Sequence, residues 1–585
     1  MPLTWLDWAL LAMTLAIPIA VGIAVGRRSG RSLSQFFLSG RDLPWWLAGT
    51  SMVATTFAAD TPLAVTGLVA VSGVAGNWLW WNAALGSMLT VTFFARLWRR
   101  AGILTDVEFV ELRYTGRSAR VLRAVRALYL GLLVNCLIIG WVNLALAKVL
   151  SVALGWNRLT GVLVGLAATG AYAALAGLRG VVAADLVQFA IALLGAVALA
   201  WYALSAPGVG GVAGLQAALP ESTFRLWPAV GASGVPAADA ATTLALPVTA
   251  FVAYLGVQWW ASWYPGQEPG GGGYVAQRMM SARSERDAVL STLWFTVAHY
   301  CLRPWPWVLV ALASLVLYPD LADPEEGYVL VLRDHLPDGW RGLLVGAFFA
   351  AYMSTVSTQL NWGTSYLVND LYKRFVRPDA GETHLVRVAR LTTIGIMLLS
   401  GLITFYLENV RQAWEFLLAS GAGLGLVLIV RWYWWRVTAV SELVAMAAAA
   451  AGFAFVHLFT TVPFPDSLLY LVPWTTACWI AATLITPAEP LPHLIRFYRR
   501  THPGGPGWSR VAAAAGETAP ASLGPPARRW AAGCGAVYLT LAATHQMLFG
   551  TPTRAGLLFA CALALAVWLL KKLGRDEEPG DGDAE

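Results

Sequence analysis

The stretch Ala351-Tyr-Met-Ser-Thr-Val-Ser-Thr358 places four hydroxyls, those of Ser354, Thr355, Ser357 and Thr358, within about one helical turn. Spacings of three and four residues put Ser354, Ser357 and Thr358 on one face. Such hydroxyls can bond back to the preceding turn of their own helix. They can also join main-chain carbonyls released by a neighbouring broken helix and surround a small cation, because several converging oxygens hold an ion without a full opposing charge.

Two apolar runs are interrupted in a way that releases such carbonyls. Asp60-Thr61-Pro62 falls in the middle of the run 45–72, and Pro265-Gly-Gln-Glu-Pro-Gly-Gly-Gly-Gly273, which includes Glu268, falls inside the run 245–282. Unwound backbone survives in hydrocarbon only where protein or a water-filled cavity satisfies it. For the glycine run the alternative is an ordinary loop between two shorter helices; Gln277 and Arg278, soon afterwards, read as a cytoplasmic helix end and leave no room for an extra crossing.

Ionisable side chains in apolar surroundings are expensive and therefore functional candidates. Asp185 follows Val181-Val-Ala-Ala184 and precedes another apolar run; the alternative is a carboxylate near the cytoplasmic end paired with Arg179. His299 and Arg303 lie one turn apart in the run 286–318. A buried guanidinium needs an anion, either Glu268, Asp60 or a carboxylate on a bound solute. Trp81, Gln258 and Asn361 are further groups able to edge a pocket, although aromatics near span ends commonly form interfacial belts and Asn361 would serve equally in helix packing.

The elements that must position these groups are membrane helices. Of 585 residues, 58% are hydrophobic and 12% charged, about half the charge density of a soluble domain. Fifteen apolar segments are long enough to cross a bilayer core of about 30 Å: 5–26, 45–72, 76–98, 121–152, 158–178, 180–204, 245–282, 286–318, 340–371, 385–407, 411–435, 438–460, 466–486, 528–548 and 553–572. The first lacks the flanks of a signal peptide and is expected to remain in the mature chain. The breaks fall in segments 2 and 7, the first members of two successive five-helix blocks (2–6 and 7–11), which points to an inverted-repeat transporter with a site near the bilayer midplane.

The net charge of +7 is a topology signal and not a nucleic-acid signal. With the N-terminus outside and the C-terminus cytoplasmic, groups such as Arg27 to Arg41, Arg96 to Arg126, Arg278 to Arg286, Lys373 to Arg390 and Arg496 to Arg529 all fall on the cytoplasmic side. The five cysteines lie in apolar segments without CxxC spacing, so no disulfide framework or zinc site is expected. No HExxH, GxSxG or close His/Cys set points to an enzyme. The expected organisation is a first transmembrane helix and cytoplasmic loop (1–44), a first repeat with discontinuous segment 7 (45–282), the remainder of the second repeat (283–435) and two accessory helices (436–486). A cytoplasmic linker (487–527), two additional helices (528–572) and an acidic tail (573–585) follow, the linker and tail read as disordered.

Phe36-Phe-Leu-Ser-Gly-Arg-Asp-Leu-Pro-Trp-Trp46, Ala54-Thr-Thr-Phe57 with Asp60, Tyr274-Val-Ala-Gln-Arg278, Ala351 to Thr358 and Asn369-Asp-Leu-Tyr-Lys373 together resemble the sodium:solute symporter family, from about residue 5 to 486. The resemblance implies an all-α fold of the leucine-transporter type, with ten core helices in two inverted repeats, here segments 2–11. It implies a sodium site made by the carbonyls of Ala54, Phe57 and Ala351 and the hydroxyls of Ser354 and Thr355. A second sodium, held in some members, would take Asp185, Ser354, Ser357 and Thr358. The substrate pocket implied lies between the breaks, lined by Asp60, Thr61, segment 3 and the unwound part of segment 7, with Tyr274 as either a stacking gate or an interfacial anchor. The glycine run and Glu268 depart from the family pattern, so solute specificity does not transfer.

The expectation is sodium-coupled symport of a small polar organic solute, a sugar, polyol or carboxylate-bearing compound, into a prokaryotic cell across its inner membrane. A proton-coupled or uncoupled transporter of the same fold is the alternative. Sodium, the solute and the lipid bilayer are the implied partners; no nucleic acid and no obligatory protein partner is.

Overall fold

The computed structural model describes residues 3–26, 32–227, 251–262, 270–408, 410–518 and 520–574. Among these the chain is helical, with no strand and one isolated bridge between Leu43 and Ala282. Helices are the expected solution for apolar segments, since each satisfies its backbone groups internally where no water is present. Among the described residues nine helices are long and apolar enough to cross a membrane, or up to eleven if each of two bent pairs is one span. Some of the fifteen sequence segments fall below that measure because their helices are cut short. Segment 3, for example, is divided into Trp78–Trp81, Ala84–Leu89 and Ala95–Ala101 with wider or tighter turns between them.

The breaks have local causes. Segment 2 consists of Trp45–Thr56 and Asp60–Ser72, bent by 57°. Pro62 has no N–H for the carbonyl four residues back and its ring crowds that carbonyl, so a continuous helix is excluded; in the first turn of a new helix it costs nothing. Segments 5 and 6 are separated at Gly177 (φ 57°, ψ −178°), a conformation open only to glycine. Segment 8 widens at Ala298–Leu302 just before Pro304, and the amide of Arg303 reaches back five residues to Ala298 O at 3.2 Å. This places His299 and Arg303 in an irregular turn facing inward.

Segment 9 (Trp340–Ser365) is the central element, with almost every residue from Arg341 to Ser365 buried. Segment 1 (Trp5–Gly26) fixes where it starts: the buried Asp7 carboxylate accepts the amides of Gly339 and Gly342, each at 2.8 Å. A Cβ at Gly342 would lie 2.0 Å from Asp7 O, and one at Gly346 would lie 1.8 Å from Thr14 Oγ1. The two helices therefore meet backbone to backbone through small residues. Asp7→Ala should strand two buried amides and lower stability by about 1–3 kcal/mol, read as a lower unfolding midpoint in detergent, with Asp7→Asn intermediate.

Two expectations are corrected. The stretch 487–527 is not a disordered linker: it holds helices Leu491–Thr501 and Ser509–Ala515, whose Leu494, Phe497, Trp508 and Val511 are buried in the main core. The buried guanidinium of Arg113 lies over the Phe497 and Trp508 rings and donates to the carbonyls of Arg431, Trp434 and Trp435. This extra apolar and cation–π burial outweighs the Pro/Gly-rich composition that marked the stretch as unstructured. Nor are all the basic groups at a wetted helix end. Arg278 is fully buried, Arg123 pairs with Asp370 at 2.6 Å, and Arg126 and Arg431 converge on Glu442 at 2.9 and 3.3 Å. Buried guanidinium groups need such partners. Residues 575–585 of the tail lie outside the described residues.

Candidate solute and cation site

The first half of segment 2 ends at Phe57 (φ −90°, ψ 63°), whose amide bonds to Val53 O at 2.9 Å and Ala54 O at 3.1 Å. The break meets segment 9. Thr355 Oγ1 donates to the Thr55 carbonyl at 2.8 Å and lies 3.1 Å from its own Ala351 carbonyl. Phe57 and Ala351 line one small cavity of about 20 Å³ together. Carbonyls of a broken helix and hydroxyls of an intact one are thus in contact. The groups that meet at the break are neutral carbonyl and hydroxyl oxygens.

The four hydroxyls do not act as one cluster. Ser354 Oγ donates to Asp185 Oδ1 at 2.7 Å, and Ser51 Oγ to Asp185 Oδ2 at 2.5 Å. Ser357 turns back to Ser354 O at 3.2 Å. Thr358 Oγ1 accepts from Arg278 Nη2 at 2.7 Å and from Thr55 at 3.1 Å. Arg278 Nη2 stands 3.9 Å from Asp185 Oδ2, so the partner of Asp185 is Arg278, while Arg179 approaches Asp42 at 3.7 Å.

A cavity of about 60 Å³ adjoins the break. Of the residues expected at a substrate pocket, Asp60, Thr61, Gln258, Tyr274, His299 and Arg303 line it. Trp81 and Asn361 do not: Trp81 packs among Trp78, Trp80 and Trp305, and Asn361 accepts from Gln277 Nε2 at 3.0 Å away from the cavity. Glu268 lies outside the described residues. Trp80, which the sequence places beside Trp81 in segment 3, also lines the cavity, as do Trp141, Gln359 and Trp414, which the sequence pattern does not mark. Gln359 stands one turn after Thr355, which was a usable signal; the tryptophans carried none that distinguished them from interfacial ones.

The electrostatics of the cavity are mixed. Asp60 Oδ2 accepts from Trp414 Nε1 at 3.2 Å. The Arg303 guanidinium donates to Thr56 Oγ1 at 3.1 Å and Val53 O at 3.4 Å, contacts His299 Nε2 at 3.2 Å, and lies 5.2 Å from the centre of the Trp307 ring. His299 Nδ1 in turn bonds Thr56 Oγ1 at 2.9 Å. Arg303 thereby braces segment 8 against the break of segment 2.

The sequence profile of the sodium:solute symporter family matches residues 36–449, well over half of the chain. The chain belongs to the sodium:solute symporter family. It is therefore a membrane transporter and not an enzyme. It is 25% identical over 468 residues to a sodium/glucose cotransporter of Vibrio parahaemolyticus, covering 76% of this chain and 83% of that one. It is 28% identical over 417 residues to a sodium/mannose cotransporter of Bos taurus, covering 67% and 68%. Its fold matches that of a Na⁺-coupled sialic acid symporter in a substrate-bound outward-open state, with a TM-score of 0.66 at 19% identity over 83% of this chain and 99% of that one. That likeness establishes the leucine-transporter type of fold and nothing finer.

In this symporter two further sets of ties join the segments. On one face Asp106 accepts from the Gly273 amide at 3.0 Å and from the Tyr366 hydroxyl, while Trp98 Nε1 donates to Gly270 O at 2.7 Å. Segments 3, 7 and 9 are joined there. Elsewhere Lys148 at the end of segment 4 pairs with Asp323 at 2.6 Å and Glu325 at 2.8 Å in the loop before segment 9.

Proposed function

We propose that the protein carries a small, uncharged, hydroxyl-rich solute into the cell together with sodium by alternating access. The observation that supports it most directly is the 2.8 Å contact of Thr355 with the carbonyl of Thr55 at the break of segment 2, beside the cavity. Sodium held by the carbonyls of Ala54, Phe57 and Ala351 and the hydroxyls of Ser354 and Thr355 ties segment 2 to segment 9 and forms the solute pocket. Segments 2–3 and 7–8 then rock against the rest. Each inward sodium brings about 2.3 kcal/mol per 100 mV of membrane potential, which drives accumulation. Fifteen crossings with the N-terminus outside and the C-terminus cytoplasmic fit the basic loops.

The solute class follows from the acceptors in the wall. Gln258 and Gln359 each have a buried side-chain oxygen without a hydrogen-bond partner, and both line the cavity with Asp60. Hydroxyl groups on a sugar or polyol would satisfy them, and a buried acceptor left unmet is costly. Arg303 is engaged with Thr56, Val53 and His299, which favours a neutral solute over a carboxylate. The relatives named above as glucose and mannose cotransporters agree with this class.

Uptake of D-glucose, D-mannose, myo-inositol and a sialic acid into proteoliposomes, under an inward sodium gradient and with choline in its place, tests the proposal. At least one neutral polyol should accumulate only with sodium. Equal uptake in choline would remove sodium coupling, and uptake of the sialic acid alone would overturn the solute class.

A further inference from the structure

We infer that Tyr538, on a C-terminal helix beyond the residues matched to the family, is a positioning residue for the solute pocket. Segment 3 cannot run as a regular helix past the pocket. The amide of Leu85, which a continuous helix would send to Trp81 O, donates to Asn82 O at 3.1 Å, and the amide of Ala83 donates to Trp80 O at 3.1 Å. The Trp81 carbonyl is thereby released inside the protein, where an unmet acceptor is costly. Tyr538 meets it: its hydroxyl donates to Trp81 O at 3.0 Å and lies 3.4 Å from Asn82 O.

The turn so held carries part of the pocket wall. Leu79 and Trp80 line the cavity, and the Leu79 carbonyl accepts from both Gln258 Nε2 and Asn82 Nδ2 at 2.8 Å. Tyr538, Trp81, Asn82, Leu79 and Gln258 thus form one bonded chain from the outer helix to a pocket side chain. The rest of the Tyr538 helix, Gly524–Phe549, docks on the same elements. Trp530 donates to Leu85 O at 2.9 Å and stacks on Trp259 of segment 7 with ring centres 5.7 Å apart. Cys301 of segment 8 reaches Val537 O at 3.6 Å. Segments 3, 7 and 8 supply Leu79, Trp80, Gln258, His299 and Arg303 to the cavity, so this helix backs the pocket wall from outside. The family match ends at residue 449, so the Tyr538 helix lies outside the matched residues.

The inference rests on the proposed solute pocket, and Tyr538→Phe tests it in two independent ways. Tyr433→Phe is the control, because Tyr433 donates to Phe93 O at 2.7 Å further along the same segment. Amide hydrogen exchange in the full-length protein without solute should speed about tenfold in the 78–90 stretch for Tyr538→Phe and stay at the wild-type rate there for Tyr433→Phe. In proteoliposomes the solute concentration for half-maximal uptake should rise by about three- to tenfold, with the maximal rate and the sodium dependence unchanged. Wild-type exchange at the 78–90 stretch in Tyr538→Phe would overturn the inference, as would a lower unfolding midpoint with unaltered half-saturation. Should the wild type accumulate none of the neutral solutes, the proposed function fails, while the exchange comparison still decides the role of Tyr538.

Discussion

Replacing Ser354 and Thr355 together by alanine should raise the sodium concentration for half-maximal uptake by tenfold or more. The Thr355 hydroxyl donates to a main-chain carbonyl at the break of segment 2, and Ser354 sits one residue before it. Losing about 1.4 kcal/mol of ion binding is a factor of ten, and the removal of two oxygens from the proposed cation site should supply at least that. The single variants divide the effect. Thr355→Ser keeps an oxygen at the break and should stay near wild type, whereas Thr355→Ala should carry most of the loss. Ser354→Ala also deprives the buried Asp185 of a donor at 2.7 Å, so it should lower protein stability in addition. An unchanged sodium dependence in the double variant would mean that the cation sits elsewhere.

Asp60→Asn should raise the solute concentration for half-maximal uptake by roughly tenfold to a hundredfold, because hydrogen bonds to a charged acceptor are worth about 1.5–3 kcal/mol each. Asp60 is buried in the wall of the cavity, and Trp414 already donates to one of its carboxylate oxygens. The remaining acceptor capacity is available to solute hydroxyls. The isosteric amide keeps the volume and loses the charge, so maximal rate should fall less than affinity. Wild-type half-saturation in Asp60→Asn, measured with the solute that the wild type accumulates, would remove Asp60 from solute recognition.

Much of this molecule could be read along the chain because the relevant physics is local. The apolar runs, the Asp60-Thr61-Pro62 break and the run of hydroxyls from Ser354 to Thr358 depend on residues within a few turns of each other, and the helices formed there. Six proposed pocket residues reach one cavity for the same reason, since a break in a membrane helix is tolerable only beside a cavity. The family profile covers that same core.

The facing of each side chain was decided elsewhere. One residue along a helix is a rotation of about 100°, so within Trp78–Trp81 the ring of Trp80 reaches the cavity wall while Trp81 is buried among other tryptophans. The hydroxyls separated toward Thr55, Asp185 and Arg278 because segment 9 is flanked by different helices on each side, and no spacing rule reports which. Arg278 and the helices at 491–515 looked solvent-exposed in composition, yet partners far away in the chain bury them. Chain order alone thus determined that this is a broken-helix membrane transporter and which segments meet at its central cavity. Tertiary packing decided which oxygens meet, because the rotation and approach of two helices depend on contacts hundreds of residues apart.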